Sequence, residues 1–167
     1  MAIPVALIIA GAFFISVKSS LENLHFMRAT GQISWFVNTA RAVATDQKNL
    51  VFSPGEDVWL DMIKTGQIAS STERTNPWGG AIRANAIDNF SMRVESDLPV
   101  HECRRVALYF LEHNPVEQGL MGLEARQIGD TAWGKVFPDS AEGKVVAIED
   151  ACGRSDQSTL AMIFRLR

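Results

Sequence analysis

The chain has 167 residues, of which 47% are hydrophobic and 21% charged, and its formal net charge is -3. That is too apolar for a disordered tail, and the charge predicts no nucleic-acid partner. The length suits one domain with a real core rather than two. The averages conceal an asymmetry. All 16 Lys and Arg and all 19 Asp and Glu lie between Lys18 and Arg167, so residues 1–17 carry no charge.

From Ala2 to Val17 the chain reads AIPVALIIAGAFFISV, with thirteen of sixteen residues apolar, among them Val5, Leu7, Ile8, Ile9, Phe13, Phe14, Ile15 and Val17. As a helix this run is about 24 Å long at about 1.5 Å per residue, against a bilayer core of about 30 Å. Lys18 can snorkel, which lets Leu21 and Leu24 extend the apolar stretch. Pro4 fits a first helical turn. Three readings are open. A cleaved signal peptide needs a basic segment before the run, and none is present. A helix buried on all sides needs a larger core than this domain offers. A membrane anchor continuing into a soluble helix is the reading favoured here.

No proline follows until Pro54, and Ile33, Phe36, Val37, Ala40, Val43 and Ala44 recur every three or four residues, the period of an amphipathic helix. One long helix is expected over the first fifty residues, apolar all round in front and on one stripe behind. Gly11, Ser19 and Ser20 are its soft points, since a glycine costs about 1 kcal/mol inside a helix. The chain divides into residues 1–28, the apolar half of the helix, and residues 29–167, a globular domain that includes the amphipathic half.

Ser53-Pro54 predicts the start of a second helix, with Glu56 and Asp57 in a first turn that favours acids. Its apolar face is Val58, Trp59, Met62 and Ile63, and Gly66 is a natural stop. A polar loop then ends in the tight-turn sequence Asn76, Pro77, Trp78, Gly79, Gly80. Phe90, Met92 and Val94 alternate with polar residues and predict a strand, with residues 81–84 as its hairpin partner. Leu98-Pro99 starts a third helix whose one face holds Val100, Cys103, Val106, Ala107, Phe110 and Leu111. Asn114-Pro115 ends it. In the glycine-rich stretch 116–143, short strands are expected near 123–128 and 133–137. The last strand, around Thr159–Leu166, is apolar on both faces, so it is expected to be central or well covered.

With an anchor in front, the domain lies outside the cytosol, where disulfides persist. Pairing Cys103 with Cys152 closes a loop of 48 intervening residues, worth roughly 4 kcal/mol on the chain-entropy account. The alternative is two free, buried thiols. His25, His101 and His113 do not combine with the cysteines at any standard zinc spacing, and no nucleophile-elbow, phosphate-loop or zinc-protease motif occurs. Asp57 and Asp61 read as a solvated edge, and Trp59, Trp78 and Trp133 as core or turn packing. No catalytic residue, metal or cofactor is nominated, and the chain is not expected to be an enzyme.

The order of these features resembles the type IV pilins, particularly class IVb pilins of the thin-pilus and toxin-coregulated kind. The matching motifs are Asn76 to Gly80 after a helix ending in Lys64-Thr65-Gly66, the helix start Pro99-Val100-His101-Glu102-Cys103, and Ala151-Cys152-Gly153 followed by Ser158-Thr159-Leu160 in the last strand. The resemblance covers nearly the whole chain. It implies an α+β fold, a long N-terminal helix packed on an antiparallel β-sheet with additional short helices. It implies a structural subunit of a bacterial pilus (fimbrium), held in the inner membrane before assembly and extracellular afterwards. Such a subunit forms a homo-oligomeric helical filament by packing its apolar helices, with the pilus assembly machinery as partner. N-terminal methylation and a role in cell adhesion come with the family, as does partial melting of the helix on assembly, here at Gly11 or Ser19-Ser20. Counted from Met1, the fifth position is Val5 where the family usually has glutamate. This fits minor, tip-located pilin-like subunits. Two other classes remain open: a membrane-tethered periplasmic binding module that never polymerises, and a small secreted enzyme behind a signal peptide.

Overall fold

The computed structural model describes residues 3–46, 52–113, 119–136, 148–153 and 156–167, with side chains in the first helix described from Lys18 to Thr45. That helix, α1, runs unbroken over Ile3–Asp46. Gly11, Ser19 and Ser20 are helical within it. The side chains of Val5, Leu7, Ile8, Ile9, Phe13, Phe14, Ile15 and Val17 lie outside the described residues, as do the expected Asn114-Pro115 stop and residues 137–147. Among the described residues, no helix is long and apolar enough to cross a membrane. The rear of α1 buries one stripe, formed by Ala29, Ile33, Phe36, Val37, Ala40, Val43 and Ala44, as its periodicity predicts.

The second helix, α2, spans Val58–Lys64 and not the residues after Ser53-Pro54. Residues 53–56 instead form a turn closed by the Glu56 N–H on Ser53 O at 3.0 Å, with Gly55 at φ 85°. The reason is a distant strand. Gly55 N–H donates to Ala86 O at 2.8 Å and Ala86 N–H to Glu56 O at 2.9 Å, so the turn is pinned to a sheet edge and Asp57 is bridged to Asn85. Asp57 is therefore the N-cap, accepting from Leu60 N–H at 3.1 Å. The expected stop holds: Gly66 sits at φ 72°, and Gln67 N–H returns to Met62 O at 2.8 Å, a glycine-dependent ending.

Strands β1 (Ile82–Asp88) and β2 (Ser91–Pro99) make the expected hairpin, longer than residues 81–84 alone. Phe90 is not part of the strand. It lies in the connecting turn, 58% exposed, because the Asp88 carboxylate accepts its N–H at 2.7 Å and closes the turn. Then follow α3 (Val100–Glu112), β3 (Leu120–Gln127), the two-residue β4 (Gly134–Lys135) and β5 (Gln157–Arg165). A helical turn covers 148–152.

The sheet is five-stranded with order β1-β2-β5-β3-β4, and every pairing is antiparallel. β5 is the central strand, which explains why both of its faces are apolar. On the inner face Val94 opposes Met162 and Met162 opposes Leu123. These side chains join the α1 stripe, α2 and α3 in one core. The outer face carries Arg83, Arg93, Glu95, Asp97, Glu124 and Arg126 at the alternate positions of β1, β2 and β3. The fold is α+β: a long N-terminal helix, an antiparallel sheet and short helices.

Candidate functional site

Helix α1 changes partners between residues 24 and 29. Leu21, Leu24 and Met27 are 51%, 45% and 71% exposed, whereas Ala29 is completely buried. Ring packing between α1 and α3 begins at Phe26, whose ring meets the edge of Tyr109 at 5.8 Å. The Arg105 guanidinium lies 4.5 Å over the same ring. Arg105 also donates to Asn23 Oδ1 at 3.0 Å and to Glu102 Oε1 at 2.9 Å. Glu102 is fully buried, and its Oε2 has no hydrogen-bond partner. A buried carboxylate is tolerated only with a close cation, so α3 depends on Arg105 at the point where it meets α1.

The Asn76–Gly80 turn sits on the other side of this junction. Asn76 is buried and every hydrogen-bonding site of its amide is used. Its Oδ1 accepts from Trp78 N–H and Gly80 N–H, both at 3.0 Å. Its Nδ2 donates to Ser96 Oγ at 3.0 Å and to Asp97 O at 2.6 Å. Gly79 takes φ 81°. A Cβ on Gly80 would lie 1.9 Å from Asp97 O, so no other residue fits there. The turn meets α1 through Gln32, whose side-chain amide donates to Glu73 O at 3.1 Å and Thr75 O at 3.2 Å. His25 meets the edge of Trp78 at 6.2 Å. Between helix and turn lies a cavity of about 300 Å³ lined by His25, Arg28, Gln32, Glu73, Thr75 and Asn76.

Cys103 and Cys152 form a disulfide, with Cα atoms 6.1 Å apart and both residues completely buried. It ties α3 to the helical turn at 148–152. Ser158 Oγ donates to Cys152 O in the same place, and Arg104 Nη2 reaches Gly153 O at 3.1 Å. The His101 side chain is 65% exposed while Cys103 is buried, so the two point to different faces. Among the described residues no three metal-ligating side chains gather.

The outer face of the sheet holds a charged network that the sequence did not announce. Arg83 pairs with Asp97 through two hydrogen bonds at 2.9 and 2.6 Å and with Glu95 at 3.3 Å. Arg93 links Glu95 at 3.0 Å and Glu124 at 2.9 Å. Trp133 takes the guanidinium groups of Arg93 and Arg126 over its ring at 4.0 and 4.2 Å. Burial pushes the Asp97 carboxyl up, but the Arg83 hydrogen bonds, the Thr159 hydroxyl and the charges of Arg83 and Arg126 outweigh it and hold it below the ordinary value. Hydrogen bonding to Asp97 in turn raises Arg83 above its ordinary value. The only trace of this network in the sequence is polar alternation along each strand. Asp57 and Asp61 are partnered rather than merely solvated, by Arg74 at 2.5 Å and Lys64 at 3.3 Å. Trp59 is core, stacked on Phe36 at 4.3 Å.

No protein-family model matches this chain. No curated protein matches it either.

Proposed function

We propose that this chain is a structural subunit of the type IV pilin kind, with class IVb as the nearest pattern, and that it polymerises through its N-terminal helix. One observation carries the reading. A single helix buries its rear stripe in its own domain while Leu21, Leu24 and Met27 stand in solvent, in line with a charge-free run over residues 2–17. Each large aliphatic side chain gains about 1.5–3 kcal/mol on leaving water, so a helix apolar on all sides is stabilised by apolar surroundings on all sides. A bilayer supplies them before assembly and the helices of other copies supply them in a filament. The buried disulfide fits an oxidising compartment. The domain then faces outward, and adhesion is a role for its exposed surface rather than catalytic turnover.

The test is electron microscopy of cells that make the full chain together with a type IV assembly machinery. Filaments that bind antibody to the domain are expected, and they should vanish when residues 2–17 are deleted. A full-length protein that stays monomeric in water without detergent would overturn the proposal.

A further inference from the structure

The cavity between α1 and the Asn76–Gly80 turn has a particular position along the helix. Residues 2–24 as one helix measure about 34 Å, enough for a bilayer core of about 30 Å. With the apolar run in a bilayer and Lys18 snorkelling outward beside Glu22, the edge of the hydrocarbon falls at Leu24, the last exposed leucine of α1. His25 and Arg28, the next turn, then stand in the headgroup layer, and the cavity stands there with them. Trp78, packed against His25, takes the depth at which tryptophan collects in membrane proteins.

The polar groups of the cavity divide into two sets. The side-chain amide of Asn76 is fully engaged within the protein, and the Gln32 Nε2 donates to two backbone carbonyls. Arg28, the Glu73 carboxylate and the Thr75 hydroxyl line the same cavity and have no hydrogen bond or ion pair among the described residues. A guanidinium is shaped for two hydrogen bonds to a phosphate. A carboxylate on the same rim would repel a purely anionic headgroup and attract an ammonium. We propose that this cavity holds the headgroup of a phospholipid that carries a primary ammonium beside its phosphate, since only an ammonium with N–H groups can donate hydrogen bonds to the Glu73 carboxylate. Arg28, with His25 and Thr75, takes the phosphate, and Glu73 takes the ammonium. The inference rests on the membrane-anchor part of the proposed function, and it assigns the Asn76–Gly80 turn the task of seating the domain on the membrane surface.

The experiment uses the full chain reconstituted in phosphatidylcholine vesicles that contain a minor fraction of spin-labelled phosphatidylethanolamine, phosphatidylglycerol or phosphatidylcholine. The fraction of label held at the protein is read by electron paramagnetic resonance. Phosphatidylethanolamine should be enriched severalfold over the other two. Arg28→Gln and Glu73→Gln should each bring it to parity without moving the thermal unfolding of the domain. Parity in the wild type, or enrichment that survives both substitutions, overturns the inference. Binding of soluble glycerophosphoethanolamine to the detergent-solubilised chain, with no enrichment in vesicles, overturns the lipid as its source. A chain that washes off the vesicles altogether overturns the anchor reading as well, whereas retention with parity overturns the headgroup site alone.

Discussion

The two halves of α1 share one backbone and differ in what their apolar side chains touch. Behind residue 29, Ile33, Phe36, Val37 and Ala40 are at most 3% exposed, and Phe36 stacks on Trp59. In front of it, Leu21, Leu24 and Met27 are about half exposed or more. A residue's hydrophobicity therefore does not say whether it stabilises its own domain. The partner does, and the partners begin where Asn23 meets Arg105, His25 meets Trp78 and Phe26 meets Tyr109. The rear half belongs to the folding of the domain, whereas Leu21, Leu24 and Met27 add little to it.

The comparison is broken most directly at Phe36. Phe36→Ala removes a completely buried ring, and large-to-small changes of this kind cost about 3–5 kcal/mol. Chemical denaturation of the domain should record that loss, and a loss below about 1 kcal/mol would mean that the rear half is not core. The next effect is that of the disulfide. Its reduction, or Cys103→Ser with Cys152→Ser, should lower domain stability by about 2–4 kcal/mol yet leave the front of α1 as firmly held in a bilayer as before. Membrane retention that fell together with stability would erase the distinction between the halves.

Much of this contrast is legible in the amino-acid sequence. The three-and-four spacing of Ile33 to Ala44 marks the buried stripe because a helix repeats its face on that period. The charge-free run marks the other half. With two cysteines in the chain, Cys103–Cys152 is the single intramolecular pairing the sequence allows, against the alternative of two free thiols. The start of α2 is not legible, because a good local signal at Ser53-Pro54 loses to pairing with Ala86, some thirty residues later in the chain. Asn76-Pro77-Trp78-Gly79-Gly80 reads as a turn, but nothing local reveals that Asn76 is clamped to Ser96 and Asp97. The Arg83–Asp97 pair and the bond from Thr159 to Asp97 join positions 14 and 62 residues apart, so they appear only once the strand register is known. For the same reason the cavity beneath Arg28 is invisible in the sequence, since its wall comes from a loop more than forty residues away.

A smaller effect sharpens the comparison from the far side of the sheet. Asp97 is held below its ordinary value in the fold, so the folded state favours its charged form. That contribution is present above the unfolded carboxylate pKa of about 3.9, and it is lost as the pH falls through the folded value. The melting temperature should therefore drop on the acid side in the wild type, and Asp97→Asn should flatten that limb. At neutral pH the substitution should cost about 0.2–1 kcal/mol, the range for partly exposed pairs. Membrane retention of the full chain should not follow this titration. An acid limb left unchanged by Asp97→Asn would show that the outer-face network does not couple to folding.

The smallest effect on stability belongs to the front half, and it separates the two halves most cleanly. Leu24 is 45% exposed, so Leu24→Ser should change the unfolding free energy of the domain by no more than about 0.5 kcal/mol, as surface substitutions do. In a bilayer or against a second copy the same side chain is buried, and replacing it with a hydroxyl forfeits about 1.5–3 kcal/mol of transfer energy. Filament yield or vesicle retention should fall while the melting curve stays where it was. Ile33→Ser should do the reverse, because Ile33 is 1% exposed and a hydroxyl there has no aqueous partner; the domain should unfold early while the anchor holds. If both substitutions shift the melting curve alike, α1 packs along its whole length on its own domain. The exposed leucines would then be ordinary surface, and neither membrane nor neighbouring helix would be needed to explain them.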